Sequence, residues 1–397
     1  MSEPIIWLAM TFPFAARIIT CVTENIDLHP AWVDTPQEFE VMLAVLLKEP
    51  NVAVDTESNS LHAYQEQVCL IQFSTPGCDF LLDPLAGLDL HPLGDLFSSN
   101  KNKKVFHAAE YDIICLRRDF GFAFQNIFDT MQVARILGRQ KLSLGDQVEA
   151  EFGLRLDKHD QKADWARRPL TVSMQAYACS DTHYLIPLRE KMLKQLHQRG
   201  LVDLAEEDFR RLCESSANDD HKPLYAQVRG YQDLAGSQLA VLAELCAYRD
   251  QRARQINQPH FKVVSNQALL AIAQLCPRNE HDLQKIEELP RRLFERHADG
   301  LLNAVRVGLQ AQPIHLPRRQ RPDGRFLNRL ERLKTWRKQT AEGMQVLSDI
   351  ILPRDIMEQI ASQNPQGLLA LQVLMSAIPW RFARFGTEIL DVIKEKK

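Results

Sequence analysis

The sequence predicts an α/β domain built on a mixed sheet, followed by an all-α region that carries one small helical domain twice. Three observations predict it. Strand-like stretches come first and then alternate with helical ones up to about residue 130, the pattern of helices packed over a sheet. From there to about residue 214 the pattern is helical. Beyond about Asn218 no strand-like stretch recurs, and the chain repeats itself at a fixed offset of 88 residues.

Taken in order, residues 30–33 read as a short strand. Asp34, Thr35, Pro36 and Glu38 then carry the marks of a helix start: cap candidates, an early proline and acids in the first turn. Phe39, Met42, Leu43, Leu46 and Leu47 give that helix an apolar face. Strands are expected at 51–57, 68–74, 79–83 and 104–108, then a helix over 109–118 and a short strand at 126–128. Helices follow over 130–137 and 143–152, and one long helix over 173–199.

In the helical region Leu242, Leu245, Tyr248 and Arg249 recur as Leu330, Leu333, Trp336 and Arg337. The same offset pairs Val263 and Val264 with Ile351 and Leu352, Ile272 and Ala273 with Ile360 and Ala361, and Leu302 with Leu390. In register, these pairs argue for two copies of one domain. The polar stretch 215–222 and the Pro-, Arg- and Gln-rich stretch 310–324 read as linkers.

The chain has 397 residues, 45% apolar and 25% charged, which is globular composition with room for two or three domains. Eight cysteines are scattered without a C-x-x-C pair and mostly in apolar runs, so they read as reduced core thiols, not a zinc site or a disulfide frame. No apolar run reaches the ~18 residues of a membrane span. The apolar N-terminal stretch carries Glu3, Pro4 and Pro13 and lacks a basic start, so it reads as a loosely docked extension, not a signal peptide.

The chemistry is expected where the strand over 51–57 ends. Asp55 and Glu57 alternate onto one side and lie ~7 Å apart at a strand's ~3.3 Å rise. Two like charges so held repel unless one is protonated or a cation sits between them. Asp112 shares a helical stripe with Cys115 and Leu116, which points it to the core side, whereas an acid in a helix's first turn taken alone reads as a surface residue compensating the helix dipole. Tyr177 and Asp181 are one turn apart on one helix face, in an apolar setting where a bare carboxylate is poorly tolerated. Asp129 before Thr130 reads as a helix cap, and His107 as a satisfied core histidine. Together the four acids make an oxygen-only site suited to Mg2+ or Mn2+. Two such ions ~3.5–4 Å apart can bind a phosphodiester, activate a water and neutralise the leaving alkoxide. Tyr177 would orient that water or help take its proton.

The ordered set Asp-x-Glu, His-x-x-x-x-Asp and Tyr-x-x-x-Asp resembles the tyrosine subclass of the DEDD 3′→5′ exonuclease superfamily. Within it, Leu70-Ile71-Gln72, Phe106-His107, Leu156-Asp157-Lys158, Asp164-Trp165 and Arg168-Pro169-Leu170 resemble ribonuclease D. The repeated helical module resembles the HRDC domain. The resemblance implies a ribonuclease H-like exonuclease core at 29–214, an N-terminal extension at 1–28, and HRDC-type domains at 235–312 and 325–394. It implies two divalent ions held by Asp55, Glu57, Asp112 and Asp181, with Tyr177 setting up the nucleophilic water. The family removes mononucleotides, as 5′-phosphates, from RNA 3′ ends, typically of transfer RNA precursors. It also implies that Glu57 and nearby backbone touch the terminal 3′-hydroxyl. Ser58 departs from the pattern, since many members carry an aromatic or apolar residue there.

The net charge of −3 does not advertise a nucleic-acid binder, but the charge is segregated. Residues 318–338 hold nine Lys or Arg against two acids, a local +7. Arg318, Arg319, Arg321, Arg325 and Arg337 there, with Arg249 and Arg252 in the first helical module, are the candidate phosphate contacts. The expected protein is a metal-dependent 3′→5′ exoribonuclease of a bacterial-type cytoplasm, monomeric and not bound to membrane. Its rivals are a DNA exonuclease with the same acids and an RNA-binding adaptor with an idle core.

Overall fold

The computed structural model of the chain describes residues 30–215, 222–317 and 323–394. The expected N-terminal extension, and Arg318, Arg319 and Arg321, lie outside the described residues. After β1 (Ala31–Val33), α1 (Pro36–Leu46) begins as its sequence predicts. The Thr35 side chain accepts the Glu38 N–H, Glu38 returns a bond to the cap backbone, and Pro36 opens the first turn.

β2 (Asn51–Ser58), β3 (Val68–Ser74) and β4 (Asp79–Leu82) pair antiparallel. α2 (Leu93–Ser98) leads to β5 (Lys103–Phe106), and α3 (Glu110–Phe120) to β6 (Ile127–Asp129). The sheet order is β1-β4-β3-β2-β5-β6. β2 is its pivot, antiparallel to β3 on one side and parallel to β5 on the other. Every residue of β3 is buried, as are Val52, Ala53 and Val54 of β2, so both strands lie inside the sheet between covered faces.

α4 (Thr130–Ile136), α5 (Leu144–Phe152), α6 (Val172–His183), α7 (Leu185–Arg199) and α8 (Val202–Cys213) complete this domain. The single helix expected over 173–199 is therefore two, divided at Tyr184. Pro187 supplies the reason: it has no N–H for the carbonyl of His183, and its ring crowds that carbonyl. The break leaves α6 across β2, β3 and β4 while α7 runs along β2 and β5.

The first helical copy consists of α9 (Gly236–Gln255), α10 (His260–Val263), α11 (Asn266–Leu275), α12 (Glu280–Gln284) and α13 (Arg291–Gln310). The second consists of α14 (Gly324–Met344), α15 (Ser348–Ile351), α16 (Arg354–Gln363), α17 (Leu368–Leu374) and α18 (Pro379–Ile393). The repeat survives down to single hydrogen bonds. Arg249 Nη1 donates to the Val264 carbonyl at 3.2 Å, and Arg337 Nη1 to the Leu352 carbonyl at 3.1 Å, each pair offset by the same 88 residues.

The described residues form two units: 30–58, 68–215 and 323–394 in one, 59–67 and 222–317 in the other. The second helical copy thus shares a core with the sheet domain. Phe128, Leu185 and Phe209 belong to the same buried cluster as Leu333, Ile351, Ile360 and Phe385. The first copy builds its own core around Leu242, Leu245, Ile272 and Leu301. There α9 and α13 approach so closely that a Cβ on Gly308 would lie 2.4 Å from Val241 Cα. No described helix is long and apolar enough to cross a membrane.

Candidate active site

Alternation along β2 sends Asp55 and Glu57 to one face and Thr56 to the other. α6 lies over the first face and brings Asp181 to the two acids. One carboxylate oxygen from each of Asp55, Glu57 and Asp181 lies within 4.8 Å of the others. Asp112, in the first turn of α3, is 5% exposed and accepts a 2.5 Å hydrogen bond from the Thr56 hydroxyl. It stands outside the trio, yet its charge is felt by both Asp55 and Glu57. Tyr177, one turn before Asp181, donates its hydroxyl proton to that carboxylate. The Tyr177 ring packs against Trp165, with centroids 5.9 Å apart.

The electrostatics follow from crowding. Burial, then the charges of Asp112, Asp181 and Glu57, push the Asp55 carboxyl well above its ordinary value. Burial, then Asp181 and Asp112, do the same to Glu57. Burial drives Asp112 and Asp181 up to about 7, against the pull of the Thr56 and Tyr177 hydroxyls respectively. Burial, then Asp181 and Glu57, also raise Tyr177, so its phenol keeps its proton. Four carboxyls that cannot all ionise beside one another, offering oxygen alone, fit a hard divalent cation, whose charge removes the conflict.

Asp129 does more than the capping expected of it. It accepts from Met131 and Gln132 at the start of α4, and also from Ala108 and Ala109 at the start of α3. The second pair holds Ala108 at φ +65°, a left-handed conformation costly for alanine, and so fixes where the helix bearing Asp112 begins. His107 Nδ1 is bonded to Thr130 Oγ1 at 2.8 Å, as a satisfied histidine should be, and it also lines the cleft.

That cleft, about 380 Å³, is walled by Asp55, Tyr177 and Asp181 together with His107, Lys158 and Gln161. Lys158 is exposed, and its stem lies against Gly145, where an added Cβ would come within 3.3 Å of Lys158 Cε. In the sequence Lys158 stands only as part of a motif and Thr56 has no role. An exposed lysine and a strand threonine carry no signal of their own until the fold shows what they face. The Asp164-Trp165 and Arg168 motifs serve as supports: Trp165 is buried beneath Tyr177, and Arg168 grips Asp83 with two bonds of 2.7 Å.

The basic candidates separate. Arg325 is exposed and Arg252 half-exposed, the latter reaching Gln255. Arg249 and Arg337 must be corrected as phosphate contacts. Arg249 is 4% exposed, with Nη1 bonded to both Val264 and Asn266, and Arg337 is half-buried on the Leu352 carbonyl. Their guanidinium groups satisfy backbone carbonyls inside each helical copy.

A family model described as 3′-5′ exonuclease matches residues 30–197, and one described as HRDC domain matches twice, over 238–305 and 326–393. The chain is 32% identical to a ribonuclease D of Nitrobacter hamburgensis over 90% of this chain and 94% of that one. It is 30% identical to a ribonuclease D of Sphingobium indicum over 93% and 95%. Its fold is similar to that of Escherichia coli RNase D, with a TM-score of 0.69 over 92% of this chain and 99% of the other at 23% identity. With relatives aligned over nearly their whole length and the nuclease and both HRDC regions in one order, the chain belongs to the ribonuclease D family of 3′→5′ exoribonucleases.

Proposed function

We propose that the chain hydrolyses RNA from its 3′ end to nucleoside 5′-monophosphates, with two divalent ions, Mg2+ or Mn2+, held by Asp55, Glu57, Asp112 and Asp181. The observation that carries this reading is the meeting of Asp55, Glu57 and Asp181 within 4.8 Å, with Asp112 beside them. Such ions supply Lewis acidity at the scissile phosphate, an acidified water and a counter-charge for the leaving oxygen.

The chain's own residues do the remainder. The half-buried Tyr177 phenol keeps its proton, which supports a role in orienting the attacking water and not in stripping it. Glu57, the last acid of β2, contacts the terminal 3′-hydroxyl, which makes the enzyme end-seeking. Lys158, the exposed cation on the cleft wall, meets a substrate phosphate. Arg252, Arg318, Arg319, Arg321 and Arg325 add salt-sensitive contacts to the RNA backbone. The substrate class is RNA 3′ ends, transfer RNA precursors among them, and the protein acts as a monomer.

The test is trimming of a 5′-labelled single-stranded RNA with and without Mg2+ or Mn2+. Shortening from the 3′ end with release of nucleoside 5′-monophosphates is expected, blocked by chelator and reduced on the order of 10³-fold or more by Asp55→Asn. Full activity in Asp55→Asn would reject the site. A matched DNA degraded faster than RNA would move the reading to a DNA exonuclease. Binding without cleavage would move it to an adaptor.

A further inference from the structure

Gln72 stands in the middle of β3, fully buried, and neither its Oε1 nor its Nε2 has a hydrogen-bond partner. Leaving a buried polar group unpaired costs roughly 1–3 kcal/mol, and nearly all such groups in native proteins are satisfied. The strand register shows what the carboxamide lies beside. Gln72 is directly opposite Asp55 in the antiparallel β2–β3 pair, and directly opposite Leu81 on β4. Residues so paired put their side chains on one face, with Cβ atoms ~4.5–5.5 Å apart.

Leu81 belongs to an apolar cluster with Leu70, Trp165 and Ala178. Across this row of three strands, Asp55 is therefore the polar side chain next to Gln72. Asp55 is also one of the three acids whose oxygens converge. A carboxylate that gives one oxygen to a cation keeps lone pairs on the other, and a donor placed there fixes its orientation.

We infer that Gln72 is a positioning residue of the cation site: with a divalent ion bound, its Nε2–H donates to the Asp55 oxygen turned away from the ion and holds Asp55 in its gripping orientation. The inference rests on the metal-site reading above and deepens it. It also explains why an amide is tolerated unpaired in this interior, since its partner is an Asp55 oriented by the ion. The competing partner is Asp79, whose Oδ1 is likewise buried and unbonded. Asp79 lies opposite Ser74, hence diagonal to Gln72. A Gln72–Asp79 bond would make the glutamine purely structural.

The two partners predict opposite behaviour for Gln72→Met, which keeps length and removes both polar atoms. The measurements are Mn2+ binding to the full-length protein by calorimetry, and thermal melting of the metal-free protein. Pairing with Asp55 predicts a Mn2+ dissociation constant raised about 10–100-fold, with a metal-free melting temperature unchanged or higher. Gln72→Asn keeps the amide but withdraws it by one methylene, and should lose Mn2+ affinity in the same direction; it decides the matter if the methionine variant does not fold. Wild-type Mn2+ affinity in either variant overturns the inference, and a lower metal-free melting temperature with unchanged affinity assigns Gln72 to Asp79. Asp55→Asn separates the two levels: if wild type and Asp55→Asn bind Mn2+ equally, the metal site itself is misplaced and this inference falls with it.

Discussion

Thr56 donates its hydroxyl to Asp112 Oδ1 at 2.5 Å, across 56 residues of sequence. The bond shows how β2 serves both faces of the sheet. Asp55 and Glu57 go to the α6 side, and the threonine between them holds the acid that arrives on α3. It also pulls the Asp112 carboxyl down against the burial that pushes it to about 7.

Thr56→Val keeps the shape and removes that pull. Asp112 should then stay protonated to higher pH and enter the cation site less readily. The expected result is roughly a tenfold loss of activity at pH 7, shrinking at pH 8.5 where Asp112 ionises regardless. A pH–rate profile of wild type and variant checks it; an equal loss at both pH values would mean the hydroxyl does not act through Asp112.

Linkage gives a second expectation. Asp112 and Asp181 are raised to about 7 from an ordinary 3.8. Between these values the metal-free fold holds protons that the unfolded chain has released, so metal-free stability falls as pH rises through that window and levels off above it. A divalent cation binds the deprotonated acids and competes with those protons. Mn2+ should therefore raise the melting temperature little at pH 5.5 and much more at pH 8.5. Melting curves with and without Mn2+ at both pH values test this, and a metal-induced shift independent of pH would contradict it.

Much of this site is legible in the sequence because strand and helix periodicities are local. Asp55 and Glu57 follow from alternation, Tyr177 and Asp181 from one helical turn, and the inward Asp112 from its stripe. What periodicity cannot show is which long-range partner meets a side chain. Arg249 and Arg337 look like phosphate contacts because arginine in a basic run reads as surface, yet each spends its guanidinium on a carbonyl 15 residues on. Gln72 and Thr56 gain meaning only from strand register and sheet order. The broken helix at Tyr184 is readable, since Pro187 stands inside the stretch expected as one helix.

Tyr177→Phe keeps the ring that packs on Trp165 and removes only the hydroxyl. If that hydroxyl orients water, kcat should fall roughly 10²-fold or more while KM and Mn2+ affinity stay within a few-fold. Single-turnover rates alongside Mn2+ titration separate the two. A loss of Mn2+ affinity as large as the loss of rate would make Tyr177 a support for Asp181 instead.

The arginines sort into two classes by their surroundings. Arg252→Ala and Arg325→Ala should weaken RNA binding and each reduce the slope of log affinity against log salt by about one. Arg249→Ala and Arg337→Ala should instead lower stability, by about 1–3 kcal/mol, because they orphan the Val264 and Leu352 carbonyls. Filter binding across a salt series and urea melts distinguish the classes; a full salt-slope change in Arg249→Ala would return it to the phosphate contacts.

The second helical copy shares the sheet domain's core through one closed polar network, and that network makes the last prediction. Arg381 is fully buried; its Nη1 meets Glu207 Oε1 at 2.5 Å, its Nη2 meets Asp208, and its Nε donates to the Ile350 carbonyl. The other oxygen of Glu207 accepts the Trp380 N–H at 2.6 Å. Removing one partner of a buried ion pair strands the other charge without water, so Arg381→Met should cost about 3–5 kcal/mol. Glu207→Gln keeps one acceptor oxygen, enough for the Trp380 N–H or for Arg381 but not both, and leaves Arg381 its pairing with Asp208, so it should cost less. In the double variant Glu207→Gln/Arg381→Met no charge is stranded on Glu207, so part of the loss should return, giving a coupling energy of about 0.5–3 kcal/mol. Urea denaturation of the four proteins measures it. Additive losses would mean that α8 and α18 are held by their apolar contacts alone, with the ion pair indifferent.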